Sequence, residues 1–203
     1  MLSYIDPILF PDECLVYEVE PHRYVYPIFK NGSSSLTADS RLLSYEELGN
    51  IGTVEVFIRE PFERYVSGVQ TYLRYLPPQY DRDTMLKVIW EFLFLNRHFA
   101  PQYYWLVNFT RFSDALMHFK PMDELHTATE HTFNILARDE SLVEYFKYND
   151  KLHFYLTLDK TINTHFMGKI VEFREVTALI KEKYPTVYYE VIQRNIDLCN
   201  ALG

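Results

Sequence analysis

Residues 23–35 read RYVYPIFKNGSSS. The first seven are Val, Ile and aromatics with Arg23 at the start and Pro27 near the end, and the run reads as a buried strand. Then Lys30, Asn31 and Gly32 break the run, and three serines follow. An Asn-Gly turn with a serine N-cap on a following helix would account for the asparagine, the glycine and one serine. A second physical reading accounts for the rest. Gly32 lets the backbone approach a ligand, the amides of Ser33, Ser34 and Ser35 open a helix predicted over 34–43, and Lys30 adds a point charge. That is a cradle for an anion. It is not the GxxxxGK[ST] loop of the ATPases, because here the lysine precedes the glycine.

Working outward, the chain alternates strands and helices. Strands are predicted at 14–19, 23–29, 54–59 and 103–109. Helices are predicted at 34–43, 60–76, 84–96, 139–149, 172–183 and from Pro185 to about 201. Signals between 110 and 138 are mixed. Such alternation argues for an α/β fold with a mostly parallel central sheet flanked by helices. The 203 residues suit one domain, and 48% hydrophobic residues supply its core.

Net charge is −8, which argues against broad nucleic-acid binding and disfavours a long polyanionic glycan as partner. The opening residues lack the pattern of a secretory signal, and the densest apolar run, Val88 to Leu95, is broken by Glu91. Cys14 and Cys199 are expected as free thiols in a reducing compartment, so the chain reads as cytoplasmic with no membrane span. Histidines 118, 126, 131, 153 and 165 show no metal-ligand spacing and read as structural or surface residues. The aromatics at 103–105 read as core and cleft wall.

A second stretch changes the weight of the first. REPFERYVS, 59–67, places Arg59 at a strand's end, Pro61 at a helix start and Ser67 two turns later on a polar stripe with Glu63 and Gln70. An arginine at a strand's C-terminal edge lies where open α/β sheets bind ligands, and guanidinium with hydroxyl can clamp a phosphate. Arg59 paired to a carboxylate beside an exposed Ser67 would read the same way.

Together, KNGSSS at 30–35 and REPFERYVS at 59–67 resemble the sulfotransferase family, in particular its carbohydrate branch. NRHFAPQYYWL, 96–106, is similar to that family's histidine–x–x–proline–glutamine stretch. The resemblance covers about residues 23–110, and beyond it EHTFN, 130–134, fits the family's adenine-side loop poorly. It implies a single P-loop-like three-layer domain, with a nucleotide-binding core over about 23–110 and a helical part over about 139–203. It implies transfer of a sulfuryl group from 3′-phosphoadenosine 5′-phosphosulfate (PAPS) to a hydroxyl acceptor such as a sugar, leaving adenosine 3′,5′-bisphosphate. Lys30 would stabilise the leaving phosphate, which Asn31, Gly32, Ser33, Ser34 and Ser35 would hold. Arg59 and Ser67 would fix the 3′-phosphate. Arg64, four residues after Glu60, is expected to pair with it on the helix. For the general base, Glu46, Glu47 and His98 are the candidates; His22, just before the strand at 23–29, is remote from a strand's C-terminal edge. No metal is implied. An ATP-dependent phosphotransferase with an atypical loop and a non-catalytic nucleotide-binding module are the alternatives.

Overall fold

The computed structural model describes residues 14–31, 37–74, 81, 84, 97–122, 150–186, 188 and 189. Within them the chain is an α/β protein with six strands and five helices: β1 (Tyr17–Glu20), β2 (Arg23–Tyr26), β3 (Arg41–Leu42), α1 (Tyr45–Leu48), β4 (Thr53–Ile58), α2 (Pro61–Arg74), α3 (Gln102–Phe109), β5 (Leu116–Pro121), α4 (Asp150–Phe166), β6 (Ile170–Val171) and α5 (Phe173–Lys183). The strands form one sheet in the order β3-β1-β2-β4-β5-β6. Its centre, β2, β4 and β5, is parallel. β1 and β6 join the two sides antiparallel, and β3 extends the β1 side antiparallel to β1. The sheet therefore continues past residue 110, into the part expected to be helical.

The pleat of β4 fixes the register. Val54, Val56 and Ile58 alternate onto one face, where Met117 and Phe119 join them, and α3, α4 and α5 cover that face with Leu106, Leu158, Ile162, Val176 and Ile180. Fully burying such a side chain contributes roughly 1.5–3 kcal/mol. A slip of one residue would turn the set outward and Glu55 inward, so register is strongly specified. On the other face Val25 and Phe57 pack with Met122. Beside them Glu55 accepts from Arg23 Nε (3.1 Å) and Nη2 (2.9 Å) and from Lys120 Nζ at 2.7 Å. One carboxylate thus ties all three parallel strands together. Burial raises its pKa, but the bonds to Arg23 and Lys120 outweigh that and hold it below the ordinary value.

Two expectations are corrected. YYWLVNF is not a strand but most of helix α3, whose eight residues are all buried. A segment buried on every side has no alternation to reveal its period. Of the helix predicted over 34–43, residues 34–36 lie outside the described residues and the rest is a turn at 37–39 followed by β3. Ser40 Oγ donates to the Thr37 carbonyl at 2.8 Å, and Leu43 N–H donates to the Val16 carbonyl at 2.9 Å, beside the open edge of β1. Side-chain competition of this kind disfavours a helix. The strand β5 was not foreseen, and the 17-residue helix α4 falls inside the part expected to be helical, at residues where no individual helix was assigned. The helix predicted over 84–96 lies outside the described residues except for Thr84, as does that over 139–149; of the helix predicted from Pro185 to about 201, residues 185, 186, 188 and 189 are described, and they are helical.

Other expectations hold. β2, β4, α2 and α5 lie where they were read, Cys14 is buried and free, and Tyr103, Tyr104 and Trp105 are core. Cys199 is outside the described residues. Among the described residues no helix is long and apolar enough to cross a membrane.

Glu55→Gln keeps the shape but weakens the charge-assisted bonds to Arg23 and Lys120. Urea denaturation should show a loss of about 1–2 kcal/mol, and an unchanged midpoint would mean the ladder contributes nothing.

Candidate functional site

The C-terminal ends of β2 and β4 lie side by side because the two strands pair in parallel, Val25 against Glu55 and Tyr26 against Val56. After β2 the chain turns sharply. Asn31 N–H donates to the Ile28 carbonyl at 3.0 Å, and Lys30, inside the turn, has φ +69°. A left-handed lysine costs on the order of 1–3 kcal/mol and persists only where its surroundings enforce it. The freedom expected of Gly32 is thus required already at Lys30. The ammonium of Lys30 reaches α2 and donates to Thr71 Oγ1 at 2.5 Å. Asn31 is fully buried, and its amide donates to the Phe57 carbonyl at 2.7 Å. Gly32, Ser33, Ser34 and Ser35 lie outside the described residues. Residues 37–39, described beyond them, form a turn rather than part of the predicted helix.

Arg59 follows the last residue of β4. Its Nη1 donates to the Lys30 carbonyl at 3.1 Å, and its Nε lies 3.5 Å from a Glu63 carboxylate oxygen. Nη2 has no partner among the described residues. Glu60 caps α2, its carboxylate accepting from Glu63 N–H at 2.8 Å. One and a half turns into that helix sits Ser67, part-exposed, its hydroxyl without a hydrogen bond among the described residues. Guanidinium, ammonium and hydroxyl on two adjacent strand ends and one helix make a set of donors suited to phosphate oxygens. Glu63 opposes it, since an anion on Arg59 would compete with that carboxylate.

Arg64 does not pair with the Glu60 side chain. It is fully buried and donates to three carbonyls: Phe29 at 2.9 Å, Ala100 at 2.6 Å and Arg97 at 3.4 Å. Burial pulls its pKa down to about 10, against the opposing pull of Asp159. Asp159 on α4 is also buried and accepts from the N–H groups of Gln102 (2.7 Å) and Tyr103 (3.3 Å), capping α3. Burial pushes its pKa up to about 6, while Arg64 and the two amides act to lower it. Arg64 and Asp159 share the wall of a cavity of about 20 Å³ with Pro61, Phe99, Leu152 and Tyr155, room for about one water.

The base candidates separate. His98 stays with the site, its ring 5.5 Å from that of Phe29, next to Lys30. Arg97 stacks over the same phenylalanine at 4.9 Å. The turn carrying them packs so closely on α2 that a Cβ on Gly68 would stand 2.7 Å from the His98 carbonyl. Glu46 and Glu47 are placed elsewhere. Their helix α1 is bound through Leu48, whose carbonyl accepts from Ser113 Oγ at 2.8 Å, and Tyr45, which stacks on Phe112 at 5.7 Å. Those partners lead into the start of β5. Helix α3, about 12 Å long, separates them from Gln102, beside Arg59. Glu47 is also held in a capping box with Ser44 and by Arg41 at 2.7 Å. Those bonds, the Ser44 backbone bond foremost, bring its pKa down to about 2, a poor base at neutral pH. The sequence reading missed Asp159 and Asn163, an i,i+4 polar pair beside the apolar stripe Leu158, Ile162 and Phe166. Recognising α4 as a helix would have revealed them.

No protein-family model, curated protein or solved structure matches this chain.

Asp159 has a folded-state pKa of about 6 against an ordinary 3.8. The native state therefore holds a proton that the unfolded chain has given up. The stabilisation is full below the ordinary value and is lost as pH rises through about 6. Asp159→Asn should remove this slope. The stability difference between wild type and variant, from urea midpoints at pH 4.5 and 6.5, should shift against wild type as pH rises. A pH-independent difference would contradict the assignment.

Proposed function

We propose that this chain is a sulfotransferase that binds PAPS at the C-terminal edge of β2 and β4 and transfers its sulfuryl group to a hydroxyl acceptor. One observation carries the reading. Lys30 and Arg59, the cations of two motifs 29 residues apart in sequence, belong to adjacent parallel strand ends, with Arg59 Nη1 3.1 Å from the Lys30 carbonyl. The family resemblance requires that juxtaposition, and strand topology alone could have denied it. The finer architecture that goes with the reading is a P-loop-like three-layer domain.

In the reaction the acceptor oxygen forms a bond to sulfur while the bond from sulfur to the 5′-phosphate oxygen breaks. Adenosine 3′,5′-bisphosphate leaves, and the acceptor proton passes to a base. As in phosphoryl transfer, little covalent work falls to the protein, so positioning and electrostatics do most of it. Lys30 leaves Thr71 and meets the charge growing on the departing phosphate. Arg59 Nη2 and the Ser67 hydroxyl take the 3′-phosphate, drawing Arg59 from Glu63. His98, beside Phe29, is the base on the acceptor side. A sugar is the acceptor class that the resemblance favours. Localisation in the cytoplasm is part of the same proposal.

The test is binding followed by transfer. Adenosine 3′,5′-bisphosphate should raise the melting temperature by several degrees at 100 times its Kd, equivalent to about 2.7 kcal/mol. Lys30→Ala should still bind it within about tenfold but lose transfer from PAPS at least 100-fold. Absence of binding by calorimetry would sink the reading. Stabilisation by ATP with magnesium instead would favour a phosphotransferase.

A further inference from the structure

We infer that Gln102 and Asn163, with Asn31, form a carboxamide relay that positions Arg59 for a 3′-phosphate and so sets the preference of the site for a 3′-phosphorylated nucleotide. This rests on the function proposed above. The relay begins at Asn31, whose Nδ2 lies 2.7 Å from the Phe57 carbonyl and 2.7 Å from Gln102 Oε1. A backbone carbonyl only accepts, so the nitrogen must be the atom facing it. Gln102 must then present Oε1 to Asn31, and the same oxygen accepts from Arg59 N–H at 3.0 Å. Its Nε2 faces the Arg59 carbonyl at 3.1 Å and Asn163 Oδ1 at 3.5 Å. Asn163 Nδ2 donates to that carbonyl from the other side at 2.7 Å. Each amide is oriented by the one before it.

The result replaces a missing strand. The ladder between β4 and β5 ends with Met122 N–H on the Ile58 carbonyl at 3.1 Å. One residue further, both backbone groups of Arg59 are taken by the side chain of Gln102, as a neighbouring strand would take them. Arg59 is therefore fixed at its backbone by residues 43 and 104 positions away in sequence. Its guanidinium rests on the Lys30 carbonyl. The network is not arranged for stability alone. Asn31 Oδ1 is buried without a hydrogen-bond partner among the described residues, and Lys30 beside it is left-handed. Such costs gather at functional sites. Fixing the backbone of a binding arginine lowers the ordering cost when a phosphate docks.

A merely structural role would weaken every ligand alike, so the test is a ratio. Calorimetry compares adenosine 3′,5′-bisphosphate with adenosine 5′-monophosphate, which lacks only the 3′-phosphate, on wild type, Asn163→Ala and Gln102→Met. Asn163 is part-exposed on a helix that tolerates alanine, so it carries the test if Gln102→Met does not fold. Asn163→Ala should weaken the bisphosphate about tenfold and the monophosphate less than twofold. Equal weakening of both, or an unchanged ratio, would overturn the inference. If wild type itself does not prefer the bisphosphate, the underlying function fails instead, and this inference with it.

Discussion

A single buried guanidinium organises one end of this fold. Arg64 has almost no exposed surface and donates to the carbonyls of Phe29, Arg97 and Ala100. A cation in that position must be met by dipoles or by an opposite charge. The carbonyl dipoles come from the end of β2 and from the 97–100 turn, and Asp159 adds the charge from α4. Removing the guanidinium would leave those carbonyls facing one another. Phe29 directly precedes Lys30, so the same interaction sets where the turn begins and which way its lysine departs. Gly68 completes the arrangement by letting α2 lie against the His98 backbone.

From this follows a hierarchy. Parallel pairing brings the ends of β2 and β4 together, Arg64 fixes the turn after β2, and Asp159 caps α3 so that Gln102 meets Arg59. The polar residues in this region are held mainly by backbone groups, which move little. Net charge is −8, yet Lys30, Arg59, Arg64 and Arg97 gather at one edge of the sheet. Glu60, Glu63 and Asp159 lie among them, so the excess of positive charge there is small and local, and a long polyanion would need a larger basic surface.

The sequence made the central elements legible where local pattern and tertiary role agree. β2 and β4 are rich in β-branched and aromatic residues, and α2 begins at a proline and buries Val66 and Val69. Legibility failed where burial or local competition erased the pattern. α3 is buried all round, so its Tyr, Trp and Val suggested a strand. α4 carries threonines whose hydroxyls bond back one turn, Thr157 to His153 and Thr161 to Thr157, and such residues are weak helix formers. Residues 37–43 bury too little apolar surface for a helix, with Leu42 half exposed. At the site, Lys30, Arg59 and Ser67 were singled out by motif and family resemblance, and the fold puts Lys30 and Arg59 on adjacent strand ends. The roles of Arg64, Asp159 and Asn163 could not be read that way, because they depend on which backbone groups the fold leaves open. Glu46 and Glu47 were misjudged for the same reason. Their distance along the chain was suitable, but α1 belongs with the segment that starts β5.

The central claim is that two phosphate groups of one nucleotide engage two adjacent strand ends. A crystal structure of the chain with adenosine 3′,5′-bisphosphate measures this directly. The account predicts the 5′-phosphate within hydrogen-bond distance of Lys30 Nζ, and the 3′-phosphate within that distance of the Arg59 guanidinium and Ser67 Oγ, with Arg64 still on its three carbonyls. A nucleotide whose phosphates contact neither Lys30 nor Arg59 would contradict it.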